Sequence, residues 1–169
     1  MKAEPEPIEI RKAVAADADA LYRLIQQAMR VYALQSGITG SLESLQESAD
    51  DMLRYVENDM VMVAVRDGQL VGTVRLVRQD RATAWLTRFA VLPHMHQTGV
   101  GRMLYQAAEI WLRQAGFRDV SLHTALNNQA LVAFYQARGF QLISSDHSRG
   151  YPRGLLRKDL ADTMDQPGT

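Results

Sequence analysis

Cysteine is absent from this sequence, which excludes a disulfide framework, thiolate metal sites and cysteine nucleophiles together and is compatible with a reducing cytoplasm. Net charge is absent as well. Nineteen acidic and nineteen basic residues cancel, leaving no overall field to draw the chain to nucleic acid or to an anionic membrane, so any anion it binds must be held locally. No apolar run approaches the ~18 residues of a membrane span. Met1 to Pro7 is charged and proline-punctuated, without the apolar segment of a secretion signal. The expectation is a soluble, cytoplasmic protein with neither nucleic acid nor membrane as partner, and nothing in the pattern calls for a metal.

What is present is an ordinary globular balance, 47% apolar and 22% charged, in a length that suits one well-buried core. Residues 1–169 read as a single domain with a core from about 7 to 160 and frayed ends. Pro7 to Arg11 reads as a strand. From Asp17 to Tyr32, Leu21, Leu24, Ile25, Ala28, Met29 and Tyr32 share one helical stripe, and after the Gly37 to Gly40 break Ser41 is placed to cap a second helix carrying Leu42, Leu45, Ala49, Met52, Leu53 and Val56 inward. Three strands follow: Met60 to Arg66, an Asp67-Gly68 hairpin turn, Leu70 to Arg78, and Ala82 to Leu92. A helix over about Gly99 to Ala115, with Val100, Met103, Leu104, Ala107 and Trp111 inward, leads to a strand at Val120 to Thr124, which implies a parallel crossover. A helix over about Asn128 to Arg138 is stopped by Gly139, and Phe140 to Ser148 with Leu155 to Leu160 form a closing antiparallel pair. The order is β-α-α-β-β-β-α-β-α-β-β, an α/β chain with a mixed, mostly antiparallel central sheet and helices on both faces.

The segment richest in chemistry is Phe89-Ala90-Val91-Leu92-Pro93-His94-Met95-His96-Gln97-Thr98-Gly99-Val100-Gly101-Arg102. It passes from a strand through a polar, glycine-containing loop into an amphipathic helix. A helix start presents unpaired N–H groups and about half a positive charge, which attracts a diphosphate. Gly99 and Gly101 let phosphate oxygens approach the backbone, and Arg102 adds a cation. The same glycines would also suit a merely tight loop. Neither of two other phosphate motifs fits: a P-loop requires Gly-Lys-Ser/Thr where Arg102-Met103 stand, and the dinucleotide fingerprint requires a small residue where Leu104 stands.

This loop resembles that of the GNAT superfamily of N-acetyltransferases, Gln/Arg-x-x-Gly-x-Gly/Ala, which His96-Gln97-Thr98-Gly99-Val100-Gly101 fits except at His96. A second block, Asn128 through Phe134-Tyr135 to Gly139-Phe140, resembles the family's Asn, Phe-Tyr and Gly-Phe pattern. The likeness covers roughly Pro7 to Leu160 and is firmest from Leu86 to Phe140. It implies acetyl-CoA as co-substrate, held by Phe89, Ala90, Val91, His96, Gln97, Thr98, Gly99, Val100, Gly101, Arg102 and Asn128. The strand bearing Phe89 to Val91 would diverge from its parallel neighbour at Val120 to Thr124 to make room for the pantetheine. The resemblance makes Asn128 a contact of the cofactor arm, whereas a plain helix N-cap would look identical in sequence.

Amide formation from a thioester requires a neutral amine, a stabilised oxyanion and a proton for the departing thiolate. Tyr135 is the candidate acid, since a phenol stays protonated at neutral pH; its alternative is a core aromatic. Many relatives carry Glu six residues before the strand-ending Val, but Trp85 stands there. His123 is therefore the first candidate base and His94 the second, against ordered water or an already neutral amine. His147, Arg149, Arg153, Arg157 and Lys158 make the tail basic, which suits a solvated edge strand or, alternatively, an anionic acceptor. The expected acceptor is a small-molecule primary amine, bordered by the segment from Ala33 to Met52. A protein or peptide amine and a non-catalytic CoA-binding module are the competing readings. A homodimer is compatible with the resemblance.

Overall fold

A computed structural model describes residues 6–40 and 42–160. Strand β1 (Glu9–Lys12) leads through a 3-10 turn into α1 (Ala18–Gln35), whose Leu21, Leu24, Ile25, Ala28 and Met29 are buried, as the stripe predicts. The single second helix expected from the periodicity is divided into α2 (Glu43–Gln46) and α3 (Ala49–Asn58). Extended backbone at Glu47 and Ser48 breaks it, and α3 starts afresh: Ser48 Oγ accepts from Asp51 N at 3.1 Å while the Asp51 carboxylate accepts from Ser48 N at 2.7 Å. This reciprocal cap satisfies two orphan donors and outweighs a continuous apolar stripe. The cap expected at Ser41 lies outside the described residues.

Strands β2 (Met60–Arg66), β3 (Gln69–Arg78) and β4 (Thr83–Val91) form the meander, with Asp67 and Gly68 both at positive φ in the first turn, 52° and 75°. Helix α4 (Val100–Gln114) crosses to β5 (Asp119–Ala125), and α5 (Gln129–Ala137) precedes β6 (Gln141–Asp146) and β7 (Arg153–Asp159). The seven strands lie in the order β1-β2-β3-β4-β5-β7-β6, antiparallel throughout except for β4 beside β5. The chain therefore returns between β5 and β6, so β7 is interior and β6 is the edge. Arg153, Arg157 and Lys158 consequently do not charge an edge strand, contrary to the reading of the basic tail. Arg157 Nε donates to Ser121 Oγ at 3.2 Å and Lys158 pairs with Glu109, ties from β7 to the neighbouring strand and to α4.

Two apolar clusters sandwich the sheet. One gathers Val74, Leu76, Val100, Leu104, Ala108, Leu112, Val120 and Leu122 under α4, with α5 packed against it through Tyr135; the other gathers Leu21, Leu24, Ile25, Met52, Val56 and Val63 under α1 and α3. Each fully buried leucine contributes about 1.5–3 kcal/mol. In α4 the expected Val100 and Leu104 are buried, but the inward face continues through Ala108 and Leu112, one position on from the expected Ala107 and Trp111, and Met103 is only half-buried. Leu112 and Trp111 are both apolar, so sequence periodicity placed the stripe but not its centre line.

Candidate active site

Strands β4 and β5 pair only at Thr83 with Asp119, Ala84 with Val120 and Trp85 with Ser121. Beyond Trp85 they part. The cause sits on the other side of β4, where the register against β3 slips between Thr73–Ala90 and Arg75–Thr87, so that Arg88 and Phe89 together oppose Val74. This bulge puts Arg88 at φ 50°, and the ion pair of its guanidinium with Glu47 anchors it. A bulge of this kind bends the strand and increases its twist. Leu86 to Val91 thus swing away from Leu122 to Ala125, and the wedge between them opens into two cavities.

The first cavity, about 410 Å³, is lined by Phe89, Ala90, Val91, His96, Gln97, Gly99, Gly101, Arg102 and Asn128, together with Tyr32 and Gln35 from α1. Nine of the eleven residues predicted to hold a cofactor therefore meet at one place. Thr98 and Val100 are not among the walls: the Thr98 hydroxyl donates to the Met95 carbonyl, and the Val100 side chain lies in the core, leaving only its backbone toward a ligand. Gly99 caps α4 at φ 91°, a left-handed conformation that glycine adopts without steric penalty. The helix start thus faces the cavity with no capping side chain over its N–H groups. His96 turns back on the strand, its Nε2 lying 3.0 Å from the Val91 carbonyl. Read as the donor, it locks the loop to β4 where a relative's Arg or Gln would offer more donors. Asn128 caps α5, its Oδ1 accepting from Leu131 N at 3.2 Å; it also lines the cavity, and its Nδ2 donates to Ser36 Oγ at 3.3 Å.

The second cavity, about 370 Å³, is lined by Trp85, Arg88, His123, Tyr135, Arg149 and Arg153 among others, with Leu42, Glu43 and Ser44 on its far side. It meets the first at Met29, Tyr32, Phe89 and Leu131, which line both. The two candidate catalytic residues share this chamber. Tyr135 is 4% exposed, its ring packed edge-on against Phe89, Phe134 and Phe140. Burial raises its phenol pKa well above the ordinary value. His123 stacks on Trp85 and opens to the cavity. Partial burial, then the charges of Arg153 and Arg149, hold its imidazole below the usual pKa, with Asp146 opposing. His94, the second candidate base, lines neither cavity. An ion pair of 3.1 Å between Arg149 and Glu43 bridges the rim of the second chamber.

Sequence reasoning missed Tyr32. Its hydroxyl oxygen accepts from Ala125 N at 2.9 Å, occupying a backbone group that the parting of the strands exposes. The helical stripe that contains it gave no sign of this, because a residue facing a cavity and a residue facing the core have the same periodicity. Arg88, Arg149 and Arg153 were likewise scattered in sequence and converge only through the bulge and the strand order.

The chain is 26% identical over 158 residues to phosphinothricin N-acetyltransferase of Streptomyces viridochromogenes, covering 91% of this chain and 85% of that one. It is 28% identical over 140 residues to an aminoglycoside N(6')-acetyltransferase type 1 of Stenotrophomonas maltophilia, covering 78% and 85%. Its fold superposes on the crystal structure of the PaiA N-acetyltransferase of Thermoplasma acidophilum in complex with coenzyme A with a TM-score of 0.77 at 20% identity, over 91% of this chain and 99% of that one. The profile of the acetyltransferase (GNAT) family matches residues 19–140. The strand that parts from its parallel neighbour and the glycine-started helix beside it lie within that match, and the chain belongs to the GNAT family of N-acetyltransferases.

Proposed function

We propose that this protein moves an acetyl group from acetyl-CoA to the primary amine of a small molecule, by direct attack within a ternary complex. The carrying observation is the pair of cavities that open from the β4–β5 wedge and meet at Phe89, Leu131, Met29 and Tyr32. The first has the makings of a CoA site. Backbone N–H groups around Gly99 and Gly101 and the Arg102 cation suit a diphosphate, and the unpaired length of β4 suits the amides of a pantetheine arm. Phosphinothricin N-acetyltransferase and the aminoglycoside enzyme carry small-molecule acceptors in their names, and the chamber here, with its rim bridged by Arg149 and Glu43, favours the same class over a peptide.

The chemistry then divides between the chamber's two titratable groups. The amine nitrogen attacks the thioester carbonyl, the amine's surplus proton passes to His123, the C–S bond breaks as the thiolate takes the Tyr135 proton, and the proton on His123 returns through solvent to the tyrosinate. The lowered pKa of His123 keeps its imidazole neutral and able to accept, while burial keeps the Tyr135 phenol protonated until a more basic thiolate forms beside it. Two measurements test this reading: calorimetry with CoA, and thiol release from acetyl-CoA in the presence of an amine panel. Micromolar CoA affinity with amine-dependent release supports it. CoA binding without release for any amine leaves a binding module, and no CoA affinity removes the proposal altogether.

A further inference from the structure

The acceptor chamber carries an excess of cations that the transfer reaction does not require. Three of its four arginines are matched. Arg75 Nε lies 2.8 Å from Asp59, Arg88 pairs with Glu47, and Arg149 pairs with Glu43. Arg153 is different: it makes no ion pair among the described residues, although it lines the chamber and is half-buried. The carboxylate opposite it in register is Asp146, on β6. The Asp146 charge acts on Arg153 from across the strands without an ion pair, and the hydrogen bonds of its Oδ1 come from its own turn, from Ser148 N at 3.1 Å and from Ser148 Oγ at 2.7 Å.

Position matters as much as charge. Arg153 stands across β5 from Ala125, the residue whose N–H is held by Tyr32, and Leu155, on the same face of β7, is the register partner of His123. Arg153, His123 and Tyr32 line the same chamber, which puts the Arg153 charge near both the candidate base and the junction with the first cavity. A half-buried guanidinium in a chamber of about 370 Å³ suits a planar or tetrahedral anion through charge-assisted, bidentate hydrogen bonds. A polycation would meet repulsion there.

We infer that the acceptor carries an anionic group a few bonds from its amine, as an α- or β-amino acid does, and that Arg153 binds that group. This deepens the proposed function and rests on it for the identity of the chamber. The geometry gives the anion a second effect: a carboxylate at Arg153 fixes the amine at the His123 side of the chamber, so recognition and orientation come from one contact.

The test pairs the common amino acids with their carboxamides, which differ only in the charge to be recognised, and adds linear polyamines. Loss of a charge-assisted contact gives about a 10- to 100-fold fall in kcat/KM from acid to amide. Arg153→Gln brings the acid-to-amide ratio close to one, and Arg153→Lys restores part of it; unchanged CoA affinity shows that both variants are folded. The same pairs are titrated by fluorescence of Trp85 in a Trp111→Phe background, which reads occupancy of the chamber without turnover. Amides or polyamines handled as well as acids, or a ratio untouched by Arg153→Gln, overturns the inference while leaving the transferase reading intact. Selective binding of acids without thiol release has the opposite meaning, supporting the anion site and removing the transfer step.

Discussion

The indole of Trp85 and the imidazole of His123 are stacked, with ring centroids 4.9 Å apart and planes 19° from parallel. Trp85 holds the place where many proteins this sequence resembles carry Glu, and the stack puts a titratable ring from the next strand beside it. Partial burial disfavours the charged form of the imidazole, and Arg153 and Arg149 push in the same direction.

The sign of the resulting pH dependence follows. The folded His123 pKa lies below the unfolded value of about 6.5. Its neutral form therefore persists to lower pH in the folded protein, and its contribution to stability, present above that unfolded value, is lost as pH falls through the folded pKa. For catalysis, the acid limb of kcat/KM is expected to have its midpoint below about 6.5. His123→Ala is expected to remove that limb and lower kcat/KM at neutral pH by ~10². Trp85→Ala is expected to move the midpoint upward, toward the unperturbed value. A pH-rate profile of the three proteins decides the matter: an acid limb retained by His123→Ala assigns it to another group.

Tyr135→Phe removes one oxygen from a ring held by three aromatic neighbours. Packing survives, so CoA affinity by calorimetry is expected to stay within about twofold, while turnover falls by ~10² or more. Unchanged turnover would show that Tyr135 is a core aromatic and nothing else.

His96 gives a prediction specific to this chain. Its Nε2 ties the loop to Val91, and it stands where the resembling pattern has Arg or Gln. His96→Ala is expected to weaken CoA by roughly the one hydrogen bond lost, about 3- to 10-fold in Kd. His96→Arg, which offers several donors and a full charge to the diphosphate, is expected to bind CoA at least as tightly as wild type. Titration calorimetry at fixed salt compares them. An affinity of His96→Ala equal to that of the wild type would separate the loop anchor from cofactor binding.

Gly72 tests the packing that supports the wedge. A Cβ there would lie 2.8 Å from Leu104 Cδ1, 3.0 Å from Val100 Cγ1 and 3.2 Å from the Ala90 carbonyl oxygen. Leu104 and Val100 are fully buried and the third atom is backbone, so none can retreat freely. Gly72→Ala is expected to destabilise the fold by about 1–3 kcal/mol, read as a lower urea midpoint with unchanged slope. A midpoint equal to that of the wild type would mean that α4 sits farther from β3 than described.

The order and type of the elements were legible along the chain, because periodicities of 3.6 and 2 and turns such as Asp67-Gly68 are local properties. So was the glycine loop proposed to hold the cofactor, whose signal is a contiguous run from strand to glycine to helix. The division of the second helix was less so: the Ser48–Asp51 cap was legible as residue types, but the uninterrupted apolar stripe concealed it. The centre line of α4 and the place of β7 were not legible at all. Leu112 and Trp111 are interchangeable to a pattern, and β6 and β7 alternate alike whichever of them lies against β5.

By itself, then, the sequence determined the succession of elements, the glycine-started helix and the pair Asn128 and Tyr135 that follow it. Tertiary structure alone decided which side chains share the second chamber. Arg88, His123 and Arg153 come from three different strands, and what unites them is a one-residue bulge in β4 and the insertion of β7 beside β5. Register and strand order arise from contacts between distant segments, and local propensity carries no record of such contacts.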